Sequence, residues 1–224
     1  MARIHGVAGE WARVKGTVAG LWPLFLGVFF AGFACALALS SPLVAVTLLV
    51  ASLVWVIVSL MRGLRHVERF FKGARGEEKV AGILRSLPDP YHVFNDFAAG
   101  RAHVDHVVVG PGGVFAVETK SWRGGVTVED GRILLDGQMP SRDPLAQTLR
   151  EAELVRTALS VRGWKGAVTP VLVFSTNSFA AHRAIVRGVT VINSNELKDG
   201  FASDRVVIPP AELDRLVGLM DTVS

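Results

Sequence analysis

An uncharged stretch of 46 residues between Lys15 and Arg62 constrains the fold of this chain more than any other feature. The tripeptide "SSP" divides it into two apolar runs, residues 21–39 and 43–61. Each run is close to the ~20 residues that a helix needs to cross a bilayer. The linker is too short to be a domain, so the sequence predicts a transmembrane helical hairpin over residues 21–61.

Two other structures stay open for this stretch. The first run could be a cleaved signal peptide, because "ACALALS" has small residues at the spacing of a cleavage site. The two runs could instead form a buried helical hairpin of a soluble domain, although both helices are apolar on all sides. The second run follows the first at once, and this favours the transmembrane hairpin over a cleaved leader.

Positive charge is concentrated around the apolar runs. Residues 1–75 hold eight Lys/Arg and two Asp/Glu, a net charge of +6, and residues 76–224 hold sixteen and eighteen, a net charge of −2. Excess positive charge on both flanks predicts a two-span protein of the cell membrane whose basic segment 1–20, juxtamembrane helix 62–75 and C-terminus are all cytoplasmic. These flanks are expected to contact anionic lipids. The single cysteine, Cys35, lies in the first run and excludes a disulfide framework.

Residues 76–224 alternate helical and strand patterns, which predicts an α/β domain. One helix runs out of the membrane and ends before "LPDP"; another covers residues 144–162, and a third ends the chain. Strands are predicted at residues 91–97, on both sides of a turn at Gly110–Gly113, in a hairpin turning at Glu129–Gly131, and at 168–175 and 188–193.

The strand "FAVETKSW" raises a chemical question, because an acid and a lysine interrupt its apolar pattern. Glu118 and Lys120 are two positions apart and therefore extend from the same face of the strand. The pair is either a plain ion pair or part of a working cleft, since an unpaired buried charge is costly.

The preceding strand supplies more polar groups to the same face. If Gly110–Gly113 form the turn, Val109 faces Val114, and counting outward puts Asp105 opposite Glu118. The same count puts His103 opposite Lys120. Neighbouring carboxylates repel each other unless a cation or a proton lies between them. The register therefore predicts a cation site.

The motif "GEEK" contributes a further acid. Glu77 is three residues before Val80 and seven before Leu84, so helical spacing puts it on their inward face. Glu78 falls on the face of Arg85 and is expected to be solvated. Gly76 is unfavourable within a helix and suggests a kink or a close approach of two backbones.

This arrangement is the layout of a metal-dependent nuclease of the PD-(D/E)xK type. The segments "KGARGEEKVAGIL", "VDHVVVGPGGVFAVETKSWRG" and "DPLAQTLREAELVRTAL" closely resemble the NERD (nuclease-related) domain family over residues 73–175. The resemblance implies a restriction-endonuclease-like fold, a mixed sheet flanked by helices. The residues that match the family's acidic, basic and glutamine positions are Glu77, Asp105, Glu118, Lys120 and Gln147. His103 departs from the pattern, because a polar amide is common there.

The predicted function is hydrolysis of DNA phosphodiester bonds at the cytoplasmic face. Glu77, Asp105 and Glu118 are the expected ligands of Mg²⁺ or Mn²⁺, which prefer oxygen ligands. Lys120 is expected to orient the attacking water or to stabilise the transition state, with Gln147 beside it.

A catalytically inactive, membrane-tethered module that binds nucleic acid or acts as a scaffold is the alternative. The net charge of −2 on residues 76–224 favours it, because nucleic-acid grooves are normally positive. A transporter is poorly supported, since the apolar runs hold no charged residue that could line a pathway.

Overall fold

The computed structural model describes residues 1–100, 102–201 and 207–222, with only the backbone described at residues 19 and 62–70. The chain divides into two compact units. The first, called here the globular unit, comprises Met1–Glu10 and Gly73–Ser224. The second, called the apolar unit, is the intervening segment Trp11–Lys72.

Two long helices build the apolar unit and confirm the predicted helical pair. Helix α1 covers Glu10–Leu37 and helix α2 covers Pro42–Arg85, so the chain breaks at the predicted tripeptide. By length and composition alone, Glu10–Leu37 and Pro42–Met61 could each cross a membrane. Helix α2 continues past the apolar run as far as Arg85. The helix that the sequence predicts to end before "LPDP" is therefore continuous with the second apolar run.

Nine strands, three further α-helices and a 3-10 helix at Ser194–Glu196 complete the part of the chain that the structure describes. The strands are β1 Arg3–His5, β2 His92–Ala99, β3 Ala102–Gly110, β4 Gly113–Lys120, β5 Val126–Glu129, β6 Arg132–Leu135, β7 Val168–Phe174, β8 Arg183–Val186 and β9 Val189–Asn193. The helices are α3 Pro144–Val161, α4 Leu197–Phe201 and α5 Pro210–Asp221. Seven strands form one sheet in the order β1-β2-β3-β4-β7-β9-β8, and β5 pairs with β6 separately.

The sheet is mixed, because β4, β7 and β9 run parallel while β2, β3 and β4 are antiparallel. Helix α2 covers one face, where Val80 is buried in one cluster with Val108 of β3. Helices α3 and α5 cover the other face, where Val155 and Leu216 are buried with Val107. The predicted α/β class, a mixed sheet flanked by helices, is confirmed.

The hairpin of β3 and β4 has the predicted register. Val109 pairs with Val114, and Gly110 pairs with Gly113 across the turn. The ladder continues inward to the pair of His106 and Val117, where it ends. Asp105, the next residue of β3 beyond this pair, is therefore not paired with β4 through the ladder.

The strand β1 was not predicted from the sequence. It pairs in parallel with β2, and backbone N–H groups of Ala2 and Arg3 donate to the carbonyl oxygens of Leu87 and Tyr91 over 2.7 and 2.9 Å. Three residues are too few to show a strand period. Part of the segment 1–20, interpreted from the sequence as a basic flank, thus belongs to the sheet of the globular unit.

Candidate functional site

The C-terminal end of β4 carries the acid and the lysine found in the sequence, and Asp105 of β3 lies beside them. Glu118 is only 4% exposed, and the Lys120 ammonium donates a hydrogen bond to its Oε1. Asp105 Oδ2 accepts the backbone N–H of Thr119 over 2.7 Å, just beyond the last pair of the ladder. The Asp105 carboxylate is thereby held against β4 and beside Glu118.

Helix α3 contributes the amide that links this group. Gln147 Oε1 accepts a hydrogen bond from Lys120 Nζ over 2.9 Å. Its Nε2 donates to Glu118 Oε1 over 2.8 Å and to Glu151 Oε1 over 2.9 Å. The side chain of Gln147 thus contacts both members of the Glu118–Lys120 pair, although the apolar stripe of α3 did not indicate it.

Glu151 is a member of the cluster that the sequence analysis missed. It is 8% exposed and lies one helical turn after Gln147, so the two side chains share a face of α3. The available signal was an acid four residues after the glutamine that matches the family pattern. It was overlooked because the apolar positions of α3 repeat on an adjacent stripe.

Glu77 of α2 faces the same group of charges, as predicted. Burial, followed by the negative charges of Glu118 and Asp96, raises the pKa of Glu77 to about 7, while Lys120 and a hydrogen bond from the Gly9 backbone act in the opposite direction. The Gly9 hydrogen bond shows that the N-terminal segment also supports this side chain.

The prediction for Glu78 was wrong. This residue is half-buried, and its Oε1 atom is inaccessible to solvent. The helix lies so close to the strand ends that the face beside Glu77 is also covered. A Cβ atom at Gly76 would clash with the Ser121 hydroxyl and lie 2.9 Å from Ser175 Oγ. Of the two predicted alternatives, a kink or a close approach, the structure shows a close approach of the Gly76 backbone to two serine side chains.

The electrostatics of the cluster are dominated by excess negative charge. Burial, then the charges of Glu118 and Glu77, raise the pKa of Asp105 well above its usual value. Burial and the neighbouring Glu118 raise the pKa of Glu151 to about 9. Burial alone would lower the pKa of Lys120, but the adjacent Glu118 and Asp105 outweigh it and raise that pKa. One ammonium does not neutralise these acids, so the site favours protons or an added cation.

Two histidines lie close to the cluster in sequence, and neither joins it. His103 was predicted opposite Lys120, but the ladder ends before that position, and the His103 ring contacts Asp96 Oδ1 over 3.1 Å instead. His106 is fully buried, and its Nδ1 lies 2.8 Å from Asn95 Oδ1. Burial lowers the pKa of His106 to about 3, so this histidine is a neutral structural residue.

The chemistry of the donors suits a hard divalent cation. Asp105 and Glu118 present carboxylate oxygens, and Mg²⁺ is usually held by one or two carboxylates together with waters and substrate phosphates. Within the part of the chain that the structure describes, no group of three or more His, Cys, Asp or Glu side chains is arranged to hold a metal. The fit is therefore that of a two-carboxylate site, and not of a closed cage made by the protein alone.

A family model matches the segment of the chain that contains the cluster. Residues 72–175 match the family model of NERD, the nuclease-related domain. The matched segment contains β2 to β7 and all the residues of the cluster, including Glu151. Neither the curated proteins nor the solved structures contain a match to this chain. The family resemblance found in the sequence is thus confirmed over this segment.

Proposed function

We propose that the chain is a membrane-anchored, divalent-metal-dependent nuclease that hydrolyses phosphodiester bonds of DNA at the cytoplasmic face. The observation that carries this proposal is the contact of Lys120 with Glu118 and Gln147 beside Asp105, inside the segment that matches a nuclease-related domain. Asp105 and the sequence Glu118-Thr119-Lys120 fit the PD-(D/E)xK pattern. A restriction-endonuclease-like fold is part of the same proposal.

Each member of the cluster has a role that follows from its contacts. Lys120 remains an ammonium at neutral pH, because its pKa is raised despite burial, and it can donate to a phosphoryl oxygen or to the attacking water. Gln147 fixes the direction of that ammonium through the 2.9 Å hydrogen bond. The Thr119 N–H fixes the direction of the Asp105 carboxylate.

Asp105 and Glu118, with Glu77 nearby, would hold Mg²⁺ or Mn²⁺. When bound, the metal would lower the pKa of a water molecule and neutralise charge that develops on the phosphate. The raised pKa values of Asp105 and Glu77 support this assignment, because a cation would relieve the repulsion that causes part of each shift.

Membrane anchoring rests on the organisation of the two units. Met1–Glu10 and Gly73–Ser224 form one compact unit, so the apolar unit between them must leave this unit and return to it. Crossing a membrane twice, once with each long apolar helix, satisfies that requirement. The basic residues on both flanks favour a cytoplasmic position for the globular unit, with anionic lipid headgroups as neighbours.

The test is cleavage of plasmid, linear and single-stranded DNA by the full chain in detergent, with Mg²⁺ or Mn²⁺. We expect cleavage that EDTA abolishes and that Lys120→Ala lowers by roughly 10²-fold or more, because Lys120 supplies the charge that stabilises the transition state. The control Lys165→Ala removes an exposed lysine outside the cluster and should cleave like the wild type. Equal rates in both variants would overturn the proposal.

The two acids of "GEEK" offer a matched pair in the same assay. Glu77→Gln should lower cleavage strongly, because the charge of Glu77 interacts with Glu118 and Lys120. Glu78→Gln should change cleavage less, since Glu78 is not among the main causes of the pKa shifts of Glu77 and Lys120. A larger loss with Glu78→Gln would remove Glu77 from the site.

A catalytically inactive binding or scaffold module is the second candidate function. It is favoured by one finding, the lack of three converging acids among the described residues. In that case the full chain would bind DNA without cutting it in either metal. The Lys120→Ala variant would then bind DNA with an affinity close to that of the wild type.

A further inference from the structure

The first turns of α3 border an open cleft of about 660 Å³ in the globular unit. Gln147 and Glu151 line it, and both belong to the cluster around Glu118 and Lys120. Arg142 and Arg150 line the same cleft and are exposed. The cleft therefore joins the acidic cluster to two positively charged side chains.

The two guanidinium groups are available to a ligand. Neither Arg142 nor Arg150 has a hydrogen-bond or ion-pair partner among the residues that the structure describes. The acid at the rim of the cleft, Asp143, is already engaged: it accepts the N–H groups of Leu145 and Ala146 over 2.9 and 3.3 Å and an Arg187 hydrogen bond over 2.8 Å. Asp143 thus caps α3 and does not neutralise the two arginines.

We propose that this cleft is the nucleic-acid groove of the protein, in which Arg142 and Arg150 bind backbone phosphates on the strand whose neighbouring phosphate reaches Lys120. The inference rests on the proposed nuclease function and adds to it the surface that receives the substrate. Arg142 and Arg150 are positioning residues here. Guanidinium groups bind phosphate through two parallel hydrogen bonds, which suits them to hold a strand in register.

The groove resolves an apparent conflict in the charge of the chain. Residues 76–224 have a net charge of −2 and no run of basic residues, which argues against a nucleic-acid surface. The tertiary structure brings two unpaired arginines to the cleft that Gln147 and Glu151 also line, while the carboxylates of Glu118 and Glu151 are buried. A local positive surface can attract a polyanion even when the domain as a whole is acidic.

The experiment compares two double variants of the full chain in detergent. Arg142→Gln/Arg150→Gln removes both charges of the groove. Arg132→Gln/Arg183→Gln is the matched control: it removes the same total charge from exposed arginines that do not line the cleft. Binding of a fluorescein-labelled DNA oligonucleotide, as a single strand and as a duplex, is measured by anisotropy in EDTA over a range of salt concentrations.

We expect the groove variant to bind both probes more weakly than the wild type, whatever the base sequence of the oligonucleotide. The slope of the logarithm of the binding constant against the logarithm of the salt concentration should be smaller by about 1.4 for the single strand and about 1.8 for the duplex. Each of the two lost phosphate contacts removes about 0.7 from the slope for the single strand and about 0.9 for the duplex. The control should keep the wild-type slope. A general loss of structure would also reduce the number of phosphate contacts, so equal melting temperatures of all three proteins are required to assign the change in slope to the two arginines.

Failure of the groove and failure of the nuclease function give different results. If wild type, control and groove variant bind with one slope while Lys120→Ala still abolishes cleavage, the groove is overturned and the nuclease remains. If the wild type neither binds nor cuts either probe in EDTA or Mg²⁺, the nuclease function itself is overturned, and the groove with it.

Discussion

The two units of the chain use the same apolar residue types in opposite ways. In the globular unit, Val107 and Leu172 have no exposed surface. In the apolar unit, Val28 is 73% exposed and Phe29 is 67% exposed. A soluble fold hides such side chains from water, whereas a contiguous apolar exterior marks a surface that meets lipid or another protein.

The units also differ in where charge is placed. The globular unit buries Glu118 and Glu151 among strands and helices, where burial and repulsion change the protonation of the cluster. The apolar unit has no charged residue between Lys15 and Arg62. The comparison distinguishes a site of buried charges from a segment whose length and composition would allow it to cross a membrane, and each can be tested separately.

The largest expected effect concerns the environment of the apolar unit. If both helices cross a membrane, the full chain should stay in the membrane fraction after a carbonate wash, and reporters fused at residue 1 and at residue 224 should both report cytoplasm. The physical reason is that exposed side chains such as Phe29 are costly in water and favourable in lipid. Release of the chain by carbonate, or a periplasmic C-terminus, would contradict the hairpin.

The next prediction compares the loss of stability when a buried and an exposed apolar side chain are shortened. Leu172→Ala should lower the free energy of unfolding of the globular unit by about 2–5 kcal/mol, because it leaves a cavity in the central strand β7. Phe29→Ala removes a larger side chain from an exposed position and should leave that stability unchanged. Chemical denaturation of both variants in detergent makes the comparison. Similar losses would show that the apolar unit is part of one cooperative core.

A smaller loss is expected when the N-terminal segment is removed. Deletion of residues 1–10 removes β1 and its hydrogen bonds to Leu87 and Tyr91, and it exposes the edge of β2. At about 0.5–1.5 kcal/mol for each net hydrogen bond, the loss should be about 1–3 kcal/mol. The melting temperature measures it. If the deletion has no effect, β1 does not contribute to the sheet, and the argument that the chain returns to one unit is weakened.

Bound metal should stabilise the globular unit by an amount that depends on the affinity of the folded protein for the metal. Millimolar Mg²⁺ or Mn²⁺ should raise the melting temperature of the full chain according to RT ln(1 + [L]/Kd). Glu118→Gln should abolish the rise, because it removes one of the two carboxylates of the site. A wild-type melting temperature that does not change with metal would argue for a site that no longer binds a cation.

The smallest effect is the pH dependence of the metal-free protein. The pKa of Glu77 is about 7, above its ordinary value of 4.5, so the folded chain binds more protons than the unfolded chain between these values. The contribution of Glu77 to stability is therefore complete below about pH 4.5 and lost as the pH rises through 7, on the order of 1 kcal/mol after solvent screening. Glu77→Gln should flatten this slope in denaturation measured in EDTA. Glu129→Gln, which removes an exposed acid of the β5–β6 hairpin, should not.

Local patterns in the sequence determined much of the globular unit. The period of two around the turn Gly110–Gly113 fixed the register of β3 and β4, because shifting it by one residue would move apolar side chains into water. Helical spacing predicted that Glu77 lies on the face of α2 toward the site, and the family resemblance indicated Gln147. These features depend on neighbours within a few residues of the chain or on a single hairpin.

Only the tertiary structure decided the features that combine distant segments. Glu151 joins the cluster because α3 packs across β4, and β1 exists because β2 offers it an edge 87 residues away in the chain, as the contact of His5 with His92 shows. Glu78 is half-buried because Gly76 lets α2 approach the strand ends closely. Arg142 and Arg150 come to one cleft through the packing of α3, which no charge count could reveal. The sequence determines the local period of each element, but burial and electrostatics depend on which elements pack against it.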